Sequence, residues 1–260
     1  MENCFIGEKA IPSHSFMNIY SSLQIGDYHT NHCEDHLLIK KINSNKIVCA
    51  VMDGCSTAME SHFASTLVGK VLRKIIIEMG YRELYEKNVQ HSLDDQLKEI
   101  IKGLFQEVTF LKNHLMMDEK ELLTTLIILL YDASEDKGII LSLGDGIIGI
   151  NGKITEFDRD NKPDYFAYHL NDNFEEWYTS QIQKICFECL DDISIATDGI
   201  LSFSKIKKTD SEGINCVKFL MTDAPNDITE EMLNKKIKIL EHQYGMKPTD
   251  DVAIIRLIKG

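Results

Sequence analysis

Short runs of apolar residues, alternating or solid, mark the opening of the chain. Residues 16–25, 36–42 and 46–52 read as strands, with Asn43-Ser44-Asn45 as a turn between the last two. The rhythm then changes. Phe63, Ala64, Leu67, Val68, Val71, Leu72, Ile75, Ile76 and Met79 fall on one helical face, and Gly80 reads as the stop. A second helix is predicted from Leu93 to Leu111, opened by Ser92 with Asp95 three residues on, a capping box with Asp in place of Glu. Strands return at 122–131, 138–143 and 147–150. Residues 185–190 and 193–197 are expected to form a hairpin turning at Asp191-Asp192. A helix over 228–244, led by Asp227 and Glu230 and ended by Gly245, precedes a last strand over 252–258.

Strands and helices cluster in this order instead of alternating, which argues for antiparallel sheets and against a parallel α/β fold. Two long amphipathic helices each need a sheet face to bury against. The expected architecture is α+β, a sheet-on-sheet core with helices outside. Four prolines and no Gly/Ser-rich stretch leave no linker, so residues 1–260 are expected to form a single domain.

Composition narrows the function. Apolar residues make up 43% of the chain and charged residues 27%, enough apolar matter for a sizeable core. The net charge, 28 − 41 = −13, repels phosphate backbones and anionic membrane, so neither nucleic acid nor membrane is an expected partner. No apolar run reaches the ~20 residues that span a bilayer. The N-terminus lacks the pattern of a secretory signal, and seven scattered cysteines fit reduced thiols, so a cytoplasmic setting is expected. Cys186 and Cys189 have the spacing of half a zinc knuckle without the other half; on a strand they would point to opposite faces.

The candidate chemistry lies in acids at strand ends. Asp53-Gly54 follows the strand at 46–52, Asp145 sits between Gly144 and Gly146, and Asp198-Gly199 follows 193–197. Asp250-Asp251 precedes the last strand and Glu34-Asp35 precedes the second. Any one of these reads as a solvated turn. Five together at one sheet edge would repel one another unless a cation stood between them, and Mg²⁺ and Mn²⁺ choose all-oxygen sites of this kind. A glycine beside the aspartate lets a backbone carbonyl approach as well.

The ordered series resembles the metal-dependent type 2C (PPM) serine/threonine protein phosphatases. It runs Cys33-Glu34-Asp35, Val51-Met52-Asp53-Gly54-Cys55, Thr124-Thr125-Leu126, Leu143-Gly144-Asp145-Gly146, Ala196-Thr197-Asp198-Gly199-Ile200 and Pro248-Thr249-Asp250-Asp251-Val252. The form Gly26-Asp27-Tyr28-His29 before Cys33 is similar to a bacterial branch. The resemblance implies a four-layer α-β-β-α sandwich of two mainly antiparallel sheets. It implies two Mn²⁺ or Mg²⁺ ions, with a third, weaker site, and hydrolysis of phosphoserine or phosphothreonine in a protein substrate paired with a cognate kinase. Carried over by position, Asp53 bridges both ions, Asp198 and Asp250 complete one, and Glu34 and the Gly54 carbonyl bind the other. Asp145 joins Asp198 in the third site, Asp35 hydrogen-bonds the waters of the site, and Thr125 supports the network.

Departures from that pattern are specific. Thr30 stands where the family often has a phosphate-gripping arginine, Cys55 where a proton-donating histidine is common, Ser202 where many members have an acid, Asp251 for Asn and Leu123 for Gly. They motivate a second reading, a pseudophosphatase that binds or senses. Gly144 to Gly149 matches GxGxxG, but the apolar residues after it read as strand, turn, strand, where a dinucleotide site requires a helix. His29, His32 and His36 read as solvated or hydrogen-bonded histidines, and residues 158–164 as a charged surface loop.

Overall fold

A computed structural model of the chain describes residues 17–56, 61–85, 91–158, 163–206, 213–224 and 229–260. Residues 1–16, expected to hold no secretory signal, Asp227 as a helix leader and residues 159–162 of the charged loop lie outside the described residues.

The strands are β1 (Met17–Gln24), β2 (His36–Lys41), β3 (Lys46–Met52), β4 (Leu126–Asp132), β5 (Lys137–Leu143), β6 (Gly146–Ile150), β7 (Lys153–Phe157), β8 (Lys184–Glu188), β9 (Asp192–Ala196), β10 (Phe203–Lys205), β11 (Met246–Pro248) and β12 (Val252–Lys259). The helices are α1 (Ser61–Tyr85), α2 (Leu93–Leu115), α3 (Phe174–Ser180), α4 (Cys216–Met221) and α5 (Met232–Ile239). Two five-stranded sheets carry the fold, ordered β1-β12-β9-β6-β7 and β2-β3-β4-β5-β8, with every pairing antiparallel.

β4 shows why the layers stack as they do. All seven of its residues are buried. Ile127, Leu129 and Tyr131 face the layer between the sheets, whereas Leu126, Ile128 and Leu130 pack with Val68, Leu72 and Leu97 under α1 and α2. A strand covered on both faces has no reason to alternate, and this one does not. The other sheet turns Ile147, Ile254 and Tyr20 toward Leu220, Leu233 and Ile237 of α4 and α5. Helices on both outer faces and two sheets between them make the α-β-β-α sandwich. Among the described residues no helix is long and apolar enough to cross a membrane.

Several boundaries follow the sequence closely. Ser92 accepts from the Asp95 amide at 3.1 Å and caps α2, and Gly245, at φ 65°, ends the turn that continues α5. Gly144 and Gly146, with φ of 84° and 150°, lead into strand β6 and no helix, as expected.

Three expectations are corrected. α1 runs through Gly80 to Tyr85, because Gly80 is a point of close approach and not a stop: a Cβ there would lie 2.5 Å from the Ile42 carbonyl oxygen. The apolar run at 122 begins with a 3₁₀ turn (Glu119–Leu122), so β4 starts only at Leu126. The hairpin at 185–197 does not form. β8 pairs with β5 at the edge of one sheet, and β9 sits between β12 and β6 in the other. β9 is buried on both faces from Ile193 to Ala196 and needs two neighbours, which the half-exposed β8 cannot be. Asp136 steers the crossing: its carbonyl accepts from the Cys189 amide and its carboxylate from the Leu190 amide, with Cys189 left-handed at φ 56°.

Candidate functional site

Antiparallel order brings the ends of β1, β3, β5 and β9 and the starts of β2, β4, β6 and β12 to one edge of the sandwich. Asp53 leaves β3 there. Its amide donates to the Thr125 hydroxyl at 3.1 Å, and its carbonyl accepts from the Thr125 amide at 2.8 Å and the Thr124 hydroxyl at 2.8 Å. Three backbone and side-chain groups thus fix one aspartate against the residues that lead into β4. Thr125 is buried, and its role is to hold Asp53 and pack on Gly144.

Gly54 follows and donates to the Glu34 carbonyl at 3.2 Å. A Cβ at this position would meet the Ser61 carbonyl oxygen at 2.0 Å and that of Glu34 at 2.9 Å, so only glycine lets these three segments meet. Glu34 is oriented by α1, whose Ser61 hydroxyl donates to its carboxylate and whose Ser65 hydroxyl donates to its carbonyl, each at 2.5 Å.

Asp35 is buried, with Thr197 donating to its carboxylate at 2.6 Å. Thr197 also ties β9 to β12 through the Ala253 amide at 2.9 Å, which fixes the neighbouring Asp198. Asp145 is buried between its two positive-φ glycines. Asp250 is the exposed member; its amide and that of Thr249 donate to the Ser202 hydroxyl at 3.0 and 3.1 Å. Ser202, which the sequence offered only as a missing acid, therefore joins the two loops that carry Asp198 and Asp250.

Electrostatics shows how close these acids are. Burial, and then the charges of Asp35, Asp198 and Asp250, push the Asp53 carboxyl well above the usual carboxylate range. Burial pushes Asp35 up to about 8, with the neighbouring Asp251 and Asp198 adding to it against the Thr197 hydrogen bond. Burial and then Asp250 and Asp145 raise Asp198 to about 6. Asp35 and Asp53 are hydrogen-bonded to each other, an arrangement that needs a shared proton. Four of the sequence-predicted acids, Asp53, Asp145, Asp198 and Asp250, therefore interact in one cluster, with Asp35 at its heart. Glu34 joins through the backbone contact with Gly54 and not through these charges.

The donor set suits a hard divalent cation: it is all oxygen, partly buried and short of positive charge. As they stand, no three His, Cys, Asp or Glu side chains among the described residues are disposed to hold a metal ion. Binding one requires the acids to close inward and shed their protons.

Two groups have roles that the sequence left unassigned. Asp251, nearly fully buried, accepts from the amides of Gly26, at 2.8 Å, and Glu34, and so fastens the β1–β2 loop to the start of β12. His29 brings Nδ1 to 2.9 Å from the same carboxylate, off the line of a good hydrogen bond. Burial opposes its protonation, but Asp251, Glu34 and Asp250 together outweigh that and raise its pKa. Tyr165 is the other. Its hydroxyl is hydrogen-bonded to the Cys55 thiol and close to Asp53, and burial, Cys55 and Asp53 all keep it protonated. The Asp-Asp pair at 250–251 was a signal for the first; nothing in the sequence marked Tyr165, which arrives from a loop 110 residues beyond Cys55.

Comparison with known proteins agrees with this fold. A family model described as protein phosphatase 2C matches residues 26–235. No curated protein matches in sequence. Among solved structures, the serine/threonine phosphatase Stp1 from Staphylococcus aureus is 14% identical with a TM-score of 0.60, covering 98% of this chain and 100% of its own. The phosphatase-domain structure of the cell fate determinant SpoIIE from Bacillus subtilis is 16% identical with a TM-score of 0.56 and is covered over 63% of its length by 94% of this chain. RsbX in complex with magnesium is 12% identical, TM-score 0.51, over 94% of this chain and 96% of its own.

Proposed function

Because the chain belongs to the protein phosphatase 2C family, we propose that it is a metal-dependent enzyme that hydrolyses phosphoserine and phosphothreonine in proteins. One observation carries the reading: acids from separate strand ends meet at a single sheet edge, where burial and the charges of their neighbours, Asp145 and Asp250 among them, raise the proton affinity of Asp35, Asp53 and Asp198. Such a cluster costs stability unless a cation is part of it.

Asp53 would serve both of two Mn²⁺ or Mg²⁺ ions, Asp198 and Asp250 the first, and Glu34 with the Gly54 carbonyl the second. Asp145 beside Asp198 offers a third, weaker site. Bound ions of this kind supply an activated water and a clamp for phosphoryl oxygens. The chain's own groups do the rest. Thr125 holds the Asp53 backbone so that its carboxylate projects from the strand end. Thr197 orients Asp35, whose carboxyl group would hydrogen-bond water at the site. Tyr165, kept protonated beside Cys55 and Asp53, presents an O–H where a leaving oxygen needs a hydrogen-bond donor.

The physiological partner is then a phosphorylated protein, made by a cognate serine/threonine kinase in the cytoplasm. The test is turnover of p-nitrophenyl phosphate and a phosphoserine peptide with Mn²⁺, with and without chelator. Turnover that chelator abolishes and Asp53→Asn removes is expected; turnover equal in the Asp53→Asn protein contradicts the reading. Thr30 and Cys55, in place of Arg and His, favour the pseudophosphatase reading as the alternative, whose signature is tight Mn²⁺ binding with no hydrolysis.

A further inference from the structure

Beside the acidic edge, the β1–β2 loop and the start of α1 enclose a cavity of about 580 Å³ that includes Glu34. Among the described residues, its lining contains no arginine or lysine; the nitrogen-bearing rings that face it are His29, His32 and His62. His29 is engaged by Asp251. His32 and His62 are not: among the described residues neither ring has a hydrogen bond or ion pair, and the two rings stack at 4.3 Å with 23° between planes. They come from different elements, 30 residues apart, so the pair is a product of the fold.

Each neutral imidazole has one N–H donor and one acceptor. Left without protein partners at a polar cavity, both edges of the stack are available to a ligand. A tetrahedral group with several acceptor oxygens can take a donor from each ring, and Thr30 adds a hydroxyl on the same wall.

We infer that His32 and His62 are the substrate-binding pair of this site, donating to the non-reacting oxygens of the phosphoryl group of a phosphomonoester. The assignment rests on the phosphatase reading above and adds the residues that seat the substrate. Their role is to hold the phosphorylated side chain beside Glu34, so their loss weakens binding far more than it slows turnover.

The test uses the Mg²⁺-loaded full chain and two readouts. Inorganic phosphate is titrated while the imidazole Hε1 resonances are followed by NMR. The resonances of His32 and His62 are expected to shift together and saturate, with those of the exposed His91 unmoved, and the double variant H32A/H62A is expected to bind phosphate at least about tenfold more weakly, a loss of about 1.4 kcal/mol. In steady-state assays with a phosphoserine peptide, KM is expected to rise by about tenfold with kcat within about threefold; H32N/H62N, which keeps an N–H donor, is expected to recover part of the loss. Shifts confined to His91, or unchanged phosphate binding in H32A/H62A, overturn the inference. If the wild type turns over peptide and the variants keep its KM, the inference fails and the phosphatase reading stands. If phosphate shifts the pair but no peptide is ever hydrolysed, the reading fails and the anion site remains.

Discussion

The two ends of the sandwich handle the same residue types in opposite ways. At the far end Asp136 is offered the Lys259 ammonium at 2.9 Å, the Tyr131 hydroxyl at 2.8 Å and the Leu190 amide at 3.1 Å. Burial works against its charge, but these partners win and hold its carboxyl below the usual range. Asp192 accepts from Nε and Nη2 of Arg256, at 2.9 and 2.6 Å. At the near end Asp53, Asp35 and Asp198 are as well positioned by hydroxyls and amides, yet each is raised, because burial works against its charge and the neighbouring carboxylates add to that instead of offsetting it. The far end is a finished structure. Among the described residues no lysine or arginine offsets the charge of these three carboxylates, which is the deficit that the proposed metal ions would make good.

The largest break of this contrast comes from Asp53→Asn. It is expected to cost about a thousandfold in kcat, the upper range for loss of one electrostatic element of a catalytic site, while the chelated protein becomes more heat-stable because one repelling carboxylate is gone. Assays and thermal melts of the same preparation check both signs.

Arg256→Met is the mirror experiment. Arg256, buried at 1% exposure, also donates to the Leu220 and Asp223 carbonyls. Removing it strands Asp192 and those oxygens and is expected to cost about 3 kcal/mol in denaturant unfolding. Mn²⁺ affinity should not change, because the damage is at the other end.

The acidic edge was legible in the sequence because Asp-Gly pairs end solid apolar strands, and β3, β5 and β9 are solid because both their faces are covered. The two long helices were legible from their period. What local pattern does not record is partnership between distant segments. The split of β8 from β9 depended on which sheet could bury β9 twice over, and the continuation of α1 past Gly80 depended on how near Ile42 comes. Tyr165 reaches Cys55 and the His32–His62 stack forms only when separate elements close on each other.

A pH series in chelator sharpens the contrast further. For Asp198, raised to about 6 against an ordinary 3.8, the folded state keeps a proton that the unfolded chain gives up. The stability it contributes is full below pH 3.8 and lost as pH rises through about 6; with Asp35 the window extends to about 8. Metal-free protein is therefore expected to lose several kcal/mol, about 2 of it from Asp198 alone, between pH 4 and 8, a slope that saturating Mg²⁺ removes. Melts at stepped pH, with and without the ion, read it directly.

Cys55→Ala is the smallest expected change. It removes a thiol that touches Tyr165 and leaves the acids alone, so kcat should fall less than about tenfold, and much less than in Asp198→Ala. The reverse order would move the chemistry away from the carboxylates.

The most direct test of the central claim is a calorimetric titration of Mn²⁺ into metal-free protein at pH 7.5. The account predicts two tight equivalents for the wild type, with proton release on binding, and loss of both in Asp53→Asn. Absence of binding, or binding undiminished by that substitution, would contradict it.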